Sequence, residues 1–217
     1  MFQRDYMMRM IEQVTAAIGQ VMGLRQRKEH IEALKMIGDV FDRGLRLQSR
    51  LVHTLSDEDL VKLLTTNGVP DTVSLQAIAL MLREEGGIRE DQGAETESYA
   101  CRIKSLALHI RLTALDAEES LSDPAKEAEA MLDKLRGYEL PPSLKLLIAQ
   151  WRERQGRYDE AENWLHERLE DGSAGAGEAA AFYERLLQLP DDRLVAGGLP
   201  RAEVEHGLAD IREQGVL

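Results

Sequence analysis

Glu203 and His206 stand three positions apart, the Glu-x-x-His spacing with which helical bundles hold carboxylate-bridged metal ions. One helical turn would put a carboxylate oxygen and an imidazole nitrogen on the same face. Such a site also needs a second pair of this kind and two further inward glutamates, and no other Glu-x-x-His occurs in the chain. The pair is therefore expected on the surface near the chain end. His30, His53, His109 and His166 occur singly, without the His-Glu-x-x-His or Cys/His groupings of zinc sites. His109, between Leu108 and Ile110, reads as a partly buried helix residue. Cys101 is the only cysteine. With Ser98 and His109 it offers the residue types of a nucleophile and its base, but nearness in sequence is not triad geometry. Cys101 is expected as a small core residue. A metal-binding protein or enzyme would have to assemble its site from distant residues such as Glu203, His206, His166 and His109, and no catalytic residue, metal ligand or cofactor is assigned.

The GSAGAG stretch, residues 172–177, has the small residues of a phosphate cradle at a helix N-terminus. It lacks the Lys-Ser or Lys-Thr of a nucleotide loop, follows a helical rather than a strand pattern, and is flanked by Glu170, Asp171 and Glu178. It reads as a linker.

These residues must be positioned by helices. Leu, Ala, Glu and Arg are abundant, aromatics make up 5%, and there are six prolines, a composition whose unbranched side chains keep most of their rotamer freedom on a helix. Tyr6, Met10, Val14, Ala17 and Val21 form an apolar stripe over residues 2–24, and a second periodic segment carries Ile31, Leu34, Ile37, Leu45 and Leu47. The short RQRKE link folds the two into an antiparallel hairpin. Ser56 followed by three acids reads as a helix cap, with Asn67, Gly68 and Pro70 closing that helix. Amphipathic helices are expected from about Val73 to Gln92 and from Thr96 to about Glu119. Asp123-Pro124 opens the next, which ends near Gly137. Others follow over 144–154, from the motif after it to about 170, over 178–189, and over 201–214. The expectation is an all-α protein of about ten helices with no confident strand, treated as a single array over residues 1–217 with seams near 120–124 and 172–177.

The longest apolar run, residues 77–82, is far shorter than the roughly 20 residues of a membrane span. MFQRDYMMRM scatters charges where a secretory signal would be uninterrupted, and a single cysteine leaves a reducing cytoplasm as the expected compartment. The net charge of -12 disfavours nucleic acid, whose phosphates demand Lys and Arg. The distribution is uneven. Met1 to Arg50 hold nine Lys or Arg against six Asp or Glu, a net +3, leaving -15 for the rest.

In WRERQGRYDEAENWL, Gly156 can end a helix in the left-handed conformation, Tyr158 can cover the turn, and Ala161 lets the next helix approach closely. The segment resembles the tetratricopeptide repeat, with Ala149 at the small position of the first helix. REEGGIREDQGAETES repeats the logic with Gly86, Gly93 and Ser98, while Glu95 replaces the turn tyrosine. The first hairpin keeps Ala33, with Lys28 and His30 where glycine and tyrosine would stand. Ala33, Ser98 and Ala161 are 65 and 63 positions apart, against about 34 for regular repeats, so the array is expected to be irregular. The order MFQRDYMMRMIEQ, EALKMI, LSDEDLVKLL, LREEGGIREDQG also resembles an uncharacterised family of tetratricopeptide-like proteins of Gram-positive bacteria, over roughly residues 1–115. That resemblance implies a fold and no activity.

Met7, Met8, Met22 and Met36, with Met10, give the first hairpin an adaptable apolar surface that is either core or partner groove. Together these features predict a non-catalytic helical scaffold for a protein, a peptide or a second copy of the chain.

Overall fold

The computed structural model describes residues 2–170 and 175–214, with side chains described at 8–170 and 175–213. Among the described residues it is all-α apart from one two-stranded ribbon, and it comprises two compact units, Met1–Tyr138 and Glu139–Leu217. The first contains α1 (Phe2–Gln26), α2 (His30–Asp39), a π-helical turn (Val40–Gly44), α3 (Ser49–Thr54), α4 (Asp57–Leu63), α5 (Thr72–Asp91), α6 (Glu95–Ala114) and α7 (Pro124–Lys134). The second contains α8 (Pro142–Arg154), α9 (Tyr158–Glu170), α10 (Ala176–Leu186), α11 (Asp191–Ala196) and α12 (Arg201–Gln214).

In the first unit α5 is the central element, packed against α1, α2 and α6, with α7 lying on α6. Its residues are buried on every face from Val73 to Leu82 and again at Gly86, Gly87 and Ile88, so the amphipathic helix expected there is a core helix instead. The polar residues it buries have partners. Gln76 donates to the Glu118 carbonyl at 2.6 Å and accepts from the Leu121 amide at 3.0 Å. This ties the connection between α6 and α7 to the core, and the boundary between units falls at Tyr138 and Glu139 rather than at 120–124. Half of the other expected seam, residues 172–174 of 172–177, lies outside the described residues. The second unit has its own core, in which Tyr158, Leu165, Phe182, Tyr183, Leu186, Leu194 and Val204 meet between α9, α10, α11 and α12.

Several starts and stops follow from the sequence. Ser56 Oγ accepts from the Asp59 amide at 3.0 Å, and Asp123 accepts from the amides of Ala125 and Lys126, so both serve as the caps expected of them. Other ends differ. Asn67 and Gly68, with φ of +53° and +78°, close a tight hairpin that pairs Thr65 with Pro70 and Thr66 with Val69, where only a helix end was expected. The helix α6 stops at Ala114, not near Glu119, because Asp116 turns left-handed at φ +48°. Two short helices, α3 and α11, raise the count above ten; each is six residues long, too short to stand out by periodicity.

One way of ending a helix recurs. At Lys28, Gly93, Asp116, Gly156 and Gly198 the backbone is left-handed, that residue's amide bonds the carbonyl three back, and the next amide bonds the carbonyl five before it. This is the Schellman arrangement, which satisfies carbonyls that the helix leaves open.

Candidate functional site

The hairpin positions lie where helices approach closely. Ser98 Oγ donates to the Gly86 carbonyl at 2.8 Å across the α5–α6 pair. A Cβ on Gly86 would sit 3.1 Å from Arg102 Cγ and 3.3 Å from the Ser98 carbonyl oxygen, so glycine sets that spacing. Gly93, at φ +73°, makes the turn. In the α8–α9 pair Gly156 turns at φ +74°, and Ala149, Tyr158 and Ala161 are buried. Ala33 is fully buried on α2. The Gly197 carbonyl accepts from the amides of both Tyr158 and Asp159, satisfying the start of α9 from the loop after α11.

The polar residues considered from sequence are dispersed. Glu203 and His206 are exposed on α12, with His206 Nε2 at 3.5 Å from Asp210. His166 Nε2 lies 3.2 Å from the Tyr183 hydroxyl, which donates to Glu162 at 2.7 Å. Burial, reinforced by that carboxylate, pushes the Tyr183 hydroxyl well above its ordinary range. His109 belongs to the first unit and is fully buried, its Nδ1 donating to the Ser105 carbonyl at 2.9 Å while Nε2 meets no hydrogen-bond partner. Burial pushes it down to about 4, so it is neutral at pH 7. Ser98 is committed to Gly86 and His109 to Ser105, so Ser98, Cys101 and His109 form no relay. Of GSAGAG, residues 172–174 lie outside the described residues, and Gly175 precedes α10 as its N-cap.

A grouping that no local spacing announces lies in the first unit. His53 from α3, Glu85 from α5 and Cys101 from α6 bring one ligand-type atom each to within 4.8 Å of one another. His53 Nε2 is 3.3 Å from Glu85 Oε2, and Arg89 holds the other carboxylate oxygen at 3.3 Å. Burial, with Glu85 adding to it, pushes the Cys101 thiol up to about 12, which makes it no free nucleophile.

The Met-rich surface divides. Met10 is buried, Met8 and Met22 are 54% and 43% exposed, and Met36 is half-buried beside a shallow groove. The Met7 side chain lies outside the described residues. Ala16, Gly19, Gln20, Gly23 and Leu24 line that groove with Met36, and Arg27 puts a charge at its end. Residues 13–24 contain no charged side chain, although Gln13, Thr15, Ala16, Gly19, Gln20 and Met22 face outward. A Cβ on Gly19 would meet nothing within 4 Å, and one on Gly23 only the end of Arg27 at 3.6 Å. Packing within the chain therefore gives no steric reason for either glycine.

A model of a family of unknown function, DUF6483, matches residues 1–215. The chain belongs to this family. Membership covers the second unit as well as the front half on which the sequence resemblance rested. No curated protein matches the chain, and no solved structure does. Among the described residues, no helix is long and apolar enough to cross a membrane.

Proposed function

We propose that this chain is a non-catalytic helical scaffold, an irregular tetratricopeptide-like array that pairs with a second copy of itself through the outer face of α1. The observation that carries the reading is the charge-free, half-exposed stretch at residues 13–24 with its two sterically unexplained glycines. Glycine inside a helix costs about 0.5–1 kcal/mol relative to alanine, so Gly19 and Gly23 together weaken α1 with no compensation inside the chain. Close approach by another backbone compensates. The strip spans about 18 Å at 1.5 Å per residue, the footprint of a helix rather than a loop. It carries no charge pattern that would demand an oppositely charged partner, and a two-fold pair presents the same face twice. Met22, inside the strip, and Met8, one turn before it beyond the exposed Glu12, are side chains that adapt to whatever packs on them.

The test is light scattering coupled to size exclusion on the full chain over a wide concentration range. The wild type is expected as a dimer, and Gly19→Leu and Met8→Glu as monomers with unchanged helical circular dichroism. A wild type that stays monomeric overturns self-association, and a dimer indifferent to both substitutions removes α1 as its interface.

A further inference from the structure

We propose that His53, Glu85 and Cys101 form a binding site for one divalent transition-metal ion of the zinc and cobalt class, with three protein donors and a fourth position open to solvent. The site stands apart from association through α1, and either can fail without the other.

The geometry starts at Gly86. Its missing side chain lets α5 and α6 close on each other, and a Cβ there would touch Cys101 Cβ at 3.4 Å. Glu85 precedes that glycine, and Cys101 follows Ser98, the partner of Gly86, by about one turn. The same close approach that packs the helices therefore sets a carboxylate beside a thiol. The third donor arrives on α3, which Lys104 anchors by donating to the carbonyls of Val52 at 2.9 Å and His53 at 2.6 Å. The His53 and Phe41 rings meet in a T-shaped contact, with ring centres 6.3 Å apart.

The donor atoms are already near metal spacing. Tetrahedral bonds of about 2.0–2.3 Å separate donors by about 3.3–3.8 Å. His53 Nε2 and Glu85 Oε2 lie 3.3 Å apart, and the whole set falls within 4.8 Å, so side-chain rotations of an ångström or less close it. Arg89 on Glu85 Oε1 leaves Oε2 facing the histidine, an outer contact that orients a ligand. One sulfur, one nitrogen and one carboxylate oxygen select a borderline-soft ion over magnesium or calcium, which prefer oxygen alone. Three protein ligands and an open position is the arrangement of reactive rather than purely structural zinc sites. Access is graded: side-chain exposure is 38% at His53 and 8% at Glu85, so an ion enters past the imidazole. Binding replaces the thiol proton: the S–H bond breaks, sulfur keeps the electron pair and donates it to the metal, and the proton leaves to solvent.

The experiment uses the full chain stripped with a chelator and titrated with Co2+, then back-titrated with Zn2+. Expected are saturation at one equivalent, an absorption band from thiolate-to-cobalt charge transfer, and its displacement by zinc. In Cys101→Ser the charge-transfer band should vanish, and in His53→Gln affinity should fall about tenfold or more. His53 is partly exposed, so its glutamine variant keeps the test independent of the buried thiol should Cys101→Ser unfold. Absence of saturable binding by the wild type overturns the site. So does binding that survives His53→Gln unweakened, or that lacks the sulfur band, because the ion then sits on other side chains.

Discussion

Lys28 and Asp116 hold the left-handed backbone that Gly93, Gly156 and Gly198 hold at their own helix ends. An L residue there crowds Cβ against the following carbonyl at a cost of about 1–2 kcal/mol, part of which glycine returns through the greater freedom of its unfolded chain. Lys28→Gly is expected to raise stability by about 0.5–1 kcal/mol in urea unfolding with an unchanged denaturant slope. Lys28→Ala keeps Cβ and should gain nothing, which separates backbone strain from loss of the lysine charge. His109 acts through pH. Burial depresses it to about 4, so between that value and its ordinary 6.5 the unfolded chain binds a proton the folded chain refuses. Its contribution is complete above about pH 6.5 and is lost as pH falls toward 4. At pH 5 that loss is about 2 kcal/mol relative to neutral pH. Comparing urea unfolding of the wild type and His109→Leu at pH 7 and pH 5 checks this: the wild type should lose that much more stability than the variant.

At the scale of elements, sequence revealed most where one residue decides a local geometry. Ser56 and Asp123 could be read as caps because an acceptor before a helix has one obvious use, and the Gly86–Ser98 approach because two small residues across a turn have another. Helices without a contrasting polar face defeated periodicity. From Val73 to Leu82 all faces of α5 are buried, and Glu84 and Glu85 beyond them pair within the fold, so its pattern looks half-exposed. The His53–Glu85–Cys101 grouping was legible in part. Gly86 and Ser98 place Glu85 and Cys101 on flanks of one helix contact, but His53 comes from a short helix whose placement depends on tertiary packing. The outer face of α1 needed the fold as well, because absence of charge over residues 13–24 means one thing on a buried helix and another on one with an exposed side.

At the scale of the whole molecule, two compact units with separate cores are a division that composition could not announce, since both units draw on the same helix-forming residues, and it poses the question whether stability divides with them. Gly197 offers a way to test it. Its carbonyl holds the first amides of α9, and an added Cβ would lie 2.2 Å from Tyr158 Cδ2 and 2.5 Å from the Gly156 carbonyl oxygen. Neither the ring, buried in the second core, nor the backbone oxygen can withdraw without opening the α8–α9 hairpin. Gly197→Ala should therefore destabilise the second unit by about 2–3 kcal/mol through overpacking. If the cores fold as separate cooperative units, hydrogen exchange will quicken in α8, α9 and α12 by up to about a hundredfold, while amides in α5 and α6 keep their protection. Equal loss of protection in α5 and α6 would instead mean that the 217 residues unfold as one cooperative body. In that case a ligand gripping His53, Glu85 and Cys101 would protect α12 as strongly as α6; with separate units its protection stops within the first.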